Sequence, residues 1–437
     1  MRKQTVPSVK GMNDILPDRL RKMQFVENLL LQLSYNYGYL QVKTPSVEHA
    51  ELYTRTSEFS EGKSYPVIDP KDRGLMLKND PCAPLVRFAI ENLVNRQSAP
   101  FKLVVCDSIF RSTNRKRREF RMFNLACFGI AEPTADAEIL RILVDFLETR
   151  GLVGCKITFN NLQLYTSLLF KEVEDTEKVG AMLHQVRFAN DLEAVREILI
   201  ASQISEPISS VVLQVWSGVQ DTSVLRKIAS TLNFYPFTEI VECLVNFETI
   251  LRSRGLDQIS LNTSNLHGTG FYSGLTYKLI APGEKGCEIA DGGRYDNMFT
   301  QLGGPDMSAC GIGLGIERLV EILDSYGCQT QEPNTRKSVF VINELDRESF
   351  AKWSKTIRQL RIEGFKIEED LSQKKFQKSF TRAKLLGYDL VLVIRPAGDS
   401  ITVQIIETSS LLVKELTMDN EVELYALLRR GAKTNDG

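Results

Sequence analysis

At 437 residues the chain is long enough for two or three domains of the usual ~100–200 residues. It is 43% hydrophobic and 25% charged, an ordinary globular balance with ample apolar material for a core. A formal net charge of −1 excludes a globally basic nucleic-acid binder, so any basic surface must be local. No run approaches the ~18 apolar residues of a membrane span, and the opening MRKQTVPSVKGMNDILP lacks the apolar core of a secretory signal. A cytoplasmic protein without membrane association is expected. The 8 cysteines are scattered with no Cys-x-x-Cys pair, and there are only 3 histidines, so buried reduced thiols are expected instead of a metal site or disulfides.

In chain order, Leu20, Met23, Phe25, Val26, Leu29, Leu30 and Leu33 predict an amphipathic helix over 18–38. Asn36-Tyr37-Gly38 ends it, and Tyr39 to Pro45 reads as a strand leaving that turn. A second helix is predicted over 83–96. FKLVVCDSIF, Phe101 to Phe110, reads as a buried strand, with Phe123 to Ala131 as its antiparallel partner across the polar loop NRKRREFR. Ala135 to Glu138 opens another helix. From about 155 to 260 the pattern is mostly helical, with charged surfaces, and reads as an inserted helical module. Strands resume at Gly270–Ile280 and Gly286–Ala290.

The most informative stretch runs from Gly292 to Leu319: a Gly-Gly-Arg-Tyr-Asp turn, Gly303-Gly304-Pro305, then Gly311, Gly313 and Gly315 before Glu317-Arg318-Leu319. Glycines spaced by two let one face of a strand approach a ligand or another backbone closely. The helix that follows shows Ile316, Leu319, Val320 and Leu323 at helical spacing. An arginine at such a helix start is one way to hold a planar base and its phosphates; taken alone, the glycines equally suit a packed strand and turn. Gln329 to Arg336 reads as a linker. Beyond it SVFVI, a helix from Asp346 to Glu363, FKIEED, a helix from Phe376 to Leu386, YDLVLVI and ITVQII predict a separate α/β domain with a largely parallel sheet.

Several of these segments, in this order, resemble the class II aminoacyl-tRNA synthetases, and the histidyl-tRNA synthetase group in particular. VKGMNDILPDRLRK is similar to that family's opening, and YGYLQVKTPSVEHAELYTRTS to its motif 1 region, which builds the family's dimer interface. FKLVVCDSIFR resembles motif 2, the Gly311 to Leu319 unit motif 3, and EEDLSQKKFQKSFTRAKLLGYDLVLVI the anticodon-binding domain. The resemblance covers nearly the whole chain. It implies an α+β fold: a six-stranded antiparallel sheet with helices, a helical insertion, and a C-terminal α/β anticodon-binding-like domain. The implied boundaries are a synthetase-like core at 1–154 and 261–328, an insertion at 155–260, a linker at 329–335 and a last domain at 336–437. A homodimer through Tyr39 to Glu51 is implied as well.

The resemblance also assigns residues. Arg111 stands where motif 2 supplies an arginine to the ATP α-phosphate, Arg318 at the motif 3 arginine, and Phe120 at the adenine-stacking phenylalanine. Arg118 joins them on the ATP side, with Mg if the chain is active. An arginine's planar fork suits both phosphate pairing and base stacking. Arg115, Lys116, Arg117, Arg118 and Arg121 put 5 positive charges into seven residues, enough to attract a triphosphate or an RNA end; read alone they form a solvated hairpin tip. The motif 2 glutamate is Thr113 here, and the loop is shorter than in the family.

The amino-acid side departs further. Lys78-Asn79-Asp80-Pro81-Cys82 stands where the family reads arginine-proline-glutamate-glycine-threonine. A glutamine is replaced by Met122, and the acid that would face an imidazole by Ala126. His267 replaces the arginine that neutralises charge during adenylation; its reference pKa of ~6.5 leaves it mostly neutral near pH 7. The implied substrate pocket is Asp80, Cys82, Met122, His267, Tyr272, Arg294 and Tyr295. Lost amino-acid contacts beside a retained nucleotide side imply a non-aminoacylating regulatory platform, such as the ATP phosphoribosyltransferase regulatory subunit of histidine biosynthesis, partnered by the catalytic subunit. An ATP-dependent ligase for another amino or carboxylic acid is one alternative. A divergent histidine–tRNA ligase with tRNA as partner is the other.

Overall fold

The computed structural model describes residues 6–56, 64–112, 117–266, 268, 271–283, 286–331, 337–371, 375–397 and 400–418. The chain divides into two units, Met1–Gln331 and Glu332–Gly437.

In the first unit, α1 (Pro17–Asn36) buries Met23, Val26 and Leu30, and Pro17 sits in the first turn, where a missing N–H is harmless. The stretch read as a strand after it shrinks to β1 (Leu40–Gln41). Pro45 has no N–H to offer a ladder, and Thr44 turns both its oxygens toward Lys78 Nζ. Next come β2 (Val47–His49), α2 (Ala50–Thr54), β3 (Pro66–Val67) and β4 (Leu75–Leu77), a small separate sheet that the sequence pattern does not announce. Helix α3 (Cys82–Asn92) then leads into β5 (Phe101–Phe110) and β6 (Glu119–Phe128), a hairpin in register from Phe101↔Phe128 to Phe110↔Glu119. After α4 (Thr134–Thr149) and β7 (Lys156–Asn161), a run of helices extends from α5 (Gln163–Phe170) to α10 (Tyr235–Ser253). The unit closes with β8 (Ile259–Leu261), β9 (Leu275–Ile280), β10 (Glu288–Arg294), α11 (Met298–Gln301), β11 (Ala309–Gly315) and α12 (Ile316–Ser325).

One sheet of eight strands, in the order β1-β5-β6-β11-β10-β9-β7-β8, organises this unit. Its central six strands pair antiparallel throughout, as expected, and a short parallel strand extends each edge. Alternation along the hairpin sorts two cores. Val104, Cys106, Phe123, Leu125 and Cys127 face α1, α4 and α12, while Phe101, Leu103, Val105, Ala126 and Phe128 face α3 and α11. Strands β7 and β8 lie inside the stretch that reads as helical, too short to stand out among helices. The helices between them share the first core: Leu168, Val195, Val212 and Leu244 cluster with Phe159 and Leu279. Gly292, Gly293 and Arg294 lie within β10 and not in a turn. A Cβ at Gly292 would stand 2.3 Å from the Gly311 carbonyl oxygen, so only glycine lets β10 and β11 meet there.

The second unit comprises β12 (Val339–Asn343), α13 (Arg347–Ile362), β13 (Ile367–Glu369), α14 (Phe376–Leu385), β14 (Leu390–Ala397), β15 (Ser400–Glu407) and β16 (Val413–Met418). Its sheet, ordered β13-β12-β14-β15-β16, is parallel through the first three strands and antiparallel after them, so it is less parallel than expected. Ala397 pairs with Ser400, which leaves no room for the crossover that a parallel neighbour requires. Among the described residues no helix is long and apolar enough to cross a membrane.

Candidate active-site cleft

On the α3 side of the large sheet, β6 and β11 pair with Met122 opposite Gly315, Asn124 opposite Gly313 and Ala126 opposite Gly311. The glycine side of this pairing leaves space. A Cβ at Gly313 would come within 2.4 Å of Met122 Cε. Two adjoining cavities result. The smaller, of about 220 Å³, is lined by Asp80, Cys82, Asn124, Phe271, Tyr272 and Tyr295 among others. The larger, of about 390 Å³, is lined by Arg117, Phe120, Gly315, Glu317 and Arg318 among others. Arg111, Met122, Glu288, Asp291 and Gly313 line both, which marks their junction.

Arg111 is oriented from three sides. Its Nε donates to the Asn79 carbonyl at 2.8 Å, its Nη2 to Asp80 Oδ2 at 3.1 Å, and its guanidinium lies 5.5 Å from the Phe120 ring centroid. Asp80 Oδ1 meanwhile accepts the Cys82 N–H at 2.8 Å, in the first turn of α3, where orphan N–H groups favour an anion. Lys78 stays out of both linings: fully buried, it pairs with Asp107 at 2.8 Å.

Strand alternation separates Arg294 from Tyr295, two residues expected in one pocket. Tyr295 joins the core under α3 and lines the smaller cavity, whereas Arg294 pairs across the strands with Cys310, on the α4 side. There it bonds Asp136 Oδ2 through Nη2 at 2.6 Å and Nε at 3.0 Å, and donates to the carbonyls of Glu132 at 2.8 Å and Ile130 at 3.3 Å. Burial pushes the Asp136 carboxyl up to about 6 while Arg294 pulls the other way. Arg118 likewise lines neither cavity. Its N–H donates to the Gly11 carbonyl at 2.7 Å, its carbonyl accepts the Arg111 N–H at 2.7 Å, and its side chain packs beneath Gly11. His267, Thr113, Arg115 and Lys116 lie outside the described residues.

Glu288 and Asp291 escaped the sequence reading for a geometric reason. Three residues apart on a strand, they would ordinarily point to opposite faces. A register shift in the β9–β10 pairing between Glu288 and Ala290 inserts one extra residue, and both carboxylates line the same two cavities. No local sequence signal marks that shift.

At the wall of the larger cavity, Glu317 accepts the Arg121 N–H through both oxygens at 3.0 and 3.1 Å, fastening α12 to β6; burial pushes its carboxyl upward. Glu321 pairs with Arg117, and with Arg19 of α1 at 2.6 Å. The bond from Arg117, then that from Arg19, lowers its carboxyl to about 2 despite some burial. A folded-state value below the unfolded ~4.3 gives stability that is present above ~4.3 and lost as pH falls toward 2. Wild-type protein is therefore expected to exceed Glu321→Gln in denaturant midpoint at neutral pH, with the gap closing between pH ~5 and ~2. A pH-independent gap would show that the tether is not ionic.

The antiparallel centre, the glycine-floored cleft and the arginines at its mouth define a class II aminoacyl-tRNA synthetase scaffold. Solved structures share it: a histidyl-tRNA synthetase from Nostoc sp. (TM-score 0.77, 20% identity, 98% of this chain and 100% of the other). Another is described as an ATP phosphoribosyltransferase regulatory subunit/histidyl-tRNA synthetase from Bacillus halodurans (TM-score 0.74, 19% identity, 87% and 97%). The Histidyl-tRNA synthetase family model matches residues 11–319, and the chain belongs to that family. Its relatives include the histidine–tRNA ligase of Methanocaldococcus jannaschii, 26% identical over 394 residues, which cover 88% of this chain and 91% of the relative. The Streptococcus pneumoniae enzyme is 26% identical over 430 residues, 95% and 94% of the two chains.

Proposed function

We propose that this family member does not charge tRNA with histidine and works as a regulatory platform that binds an adenine nucleotide and a small ligand, in the manner of an ATP phosphoribosyltransferase regulatory subunit. One observation carries the reading: the two adjoining cavities have diverged unequally. The larger keeps Arg111, Phe120 and Arg318 together, a fit for an adenine and its phosphates. The smaller holds Met122 and Cys82, and Ala126 lies in the apolar core beneath α3. Among the described residues no group of three metal-ligating side chains exists, so Mg would be held chiefly through the nucleotide's own phosphates.

Charge supports the same reading. Residues 155–260 carry nine Lys and Arg against thirteen Asp and Glu, an acidic surface ill-suited to RNA phosphates. The proposed assembly is a homodimer through the segment around Tyr39–Glu51, where Leu40 and Val47 are exposed, and its proposed compartment is the cytoplasm. The name borne by the Bacillus halodurans fold neighbour suits either role of the scaffold.

The test is pyrophosphate exchange with each amino acid in turn, followed by charging of histidine tRNA. No histidine-dependent signal is expected in either assay. Turnover in both would make the chain a histidine–tRNA ligase, like its curated relatives. A second reading, an ATP-dependent ligase for a different acid, is favoured by Arg111 lining both cavities, where an adenylate would form. Exchange driven by an amino acid other than histidine would select it.

A further inference from the structure

We infer that Gly11 is a positioning residue for the nucleotide cleft: the turn formed by residues 9–12 clamps the root of the β5–β6 hairpin and thereby fixes Arg111 and Phe120. This rests on the reading above that the larger cavity takes an adenine nucleotide, and it names what holds that cavity's arginine in place.

The turn has a defined geometry. The Met12 N–H donates to the Val9 carbonyl at 2.9 Å, and Gly11, third of the four residues, has φ +82°. A positive φ at that position is what a type II turn requires and what glycine adopts without strain. The Gly11 carbonyl then accepts the Arg118 N–H at 2.7 Å and the Glu119 N–H at 3.4 Å.

These bonds take over part of a sheet ladder. One step past the last β5–β6 pair, Phe110↔Glu119, the Arg111 N–H donates to the Arg118 carbonyl at 2.7 Å. In a hydrogen-bonded antiparallel pair the two residues exchange both bonds. Here the Arg118 N–H goes to Gly11 instead, so a third segment of chain closes the root of the hairpin.

Arg118 is well placed to pass a displacement on. Arg117 and Phe120 lie close by in the chain and Arg111 lies across the hairpin, and all three line the larger cavity. The Arg111 guanidinium, 5.5 Å from the Phe120 ring centroid, shares that root. The fit at the turn is tight: a Cβ on Gly11 would stand 2.7 Å from Arg118 Cγ and 3.0 Å from its Cδ. Alanine there strains the backbone and pushes Arg118 away, and with it the residues that face the nucleotide. Val9 and Lys10 are exposed and neither core includes this turn, so loosening it opens no core. The coupling runs both ways. If the docked turn favours nucleotide binding, bound nucleotide favours the docked turn by the same factor.

The experiment has two arms. Calorimetry of ATP against the unmodified chain and Gly11→Ala is expected to show a loss of at least about fivefold, the lower end of an ordinary coupling, with thermal unfolding unchanged. Adding Arg118→Ala to Gly11→Ala removes the colliding Cγ and Cδ and should recover part of the loss, which a general weakening of the fold would not. The second arm needs no substitution. Trypsin cleavage after the exposed Lys10, followed by mass spectrometry, is expected to slow when ATP is bound. This arm decides the matter if Gly11→Ala misfolds. ATP that binds the unmodified chain and leaves cleavage after Lys10 unchanged overturns the inference, as does a folded Gly11→Ala with full affinity; either leaves the nucleotide site standing. If ATP does not bind the unmodified chain at all, the nucleotide reading falls and this inference with it.

Discussion

Arg294→Met is expected to destabilise the protein by about 3–5 kcal/mol, the usual cost of removing one partner from a buried ion pair. Arg294 is 6% exposed and Asp136 0%, and the guanidinium pairs with Oδ2 of the carboxylate and with two carbonyls just before α4. Methionine fills much of the volume and supplies none of the donors, which leaves a carboxylate stranded in the core. Burial already raises that carboxyl to about 6, and losing Arg294 must raise it further. An acid whose folded value lies above its unfolded one penalises the native state at high pH, and the penalty fades as pH falls and the proton binds. The deficit in denaturant unfolding should therefore be smaller at pH 5.5 than at pH 7.5. Because Arg294 lines neither cavity, the folded variant should keep its nucleotide affinity. A loss of affinity at unchanged stability would return Arg294 to the ligand site.

Arg111→Ala should weaken ATP binding at least about tenfold, from the ~1.5–3 kcal/mol carried by a charged hydrogen bond. The loss has two parts. The phosphates lose a guanidinium, and Asp80 loses the partner that neutralises it at 3.1 Å, so a bare carboxylate then faces the anion. Arg111→Lys should recover only part, since an ammonium cannot make the fork that spans Asn79, Asp80 and a phosphate. Calorimetry of ATP against the three proteins measures this. Absence of binding to the unmodified chain would remove the nucleotide from the proposed function.

Period-two burial and the spaced glycines made much of the scaffold legible from the residues alone. The hairpin of Phe101 to Phe128, the glycine strand and the Ile316 helix fall where the pattern puts them, give or take a few residues. What alternation could not convey was register. A single extra residue near Glu288 decides which carboxylates enter the cleft, and the pairing of Arg294 with Cys310 decides that a pocket candidate becomes a core rivet. Both depend on the neighbouring strand, which a local pattern does not contain. The small sheet of β2, β3 and β4 was missed because strands of two or three residues carry no period to read.

The helical run between β7 and β8 constrains how this architecture can be shortened. The two strands lie side by side and parallel at the sheet's edge, Ile157 beside Ile259. Parallel neighbours cannot be joined by a tight turn and need a crossover of about a dozen residues or more. Any trimmed version that keeps β8 must therefore keep a helical return, and that return must still cover Phe159 and Leu279, which share a core with Val195 and Val212. Excising the module opens the sheet's far edge to water, on the strand that pairs with β9 and, through it, β10. Loss of the helices would thus reach the cleft along the sheet, with no direct contact required.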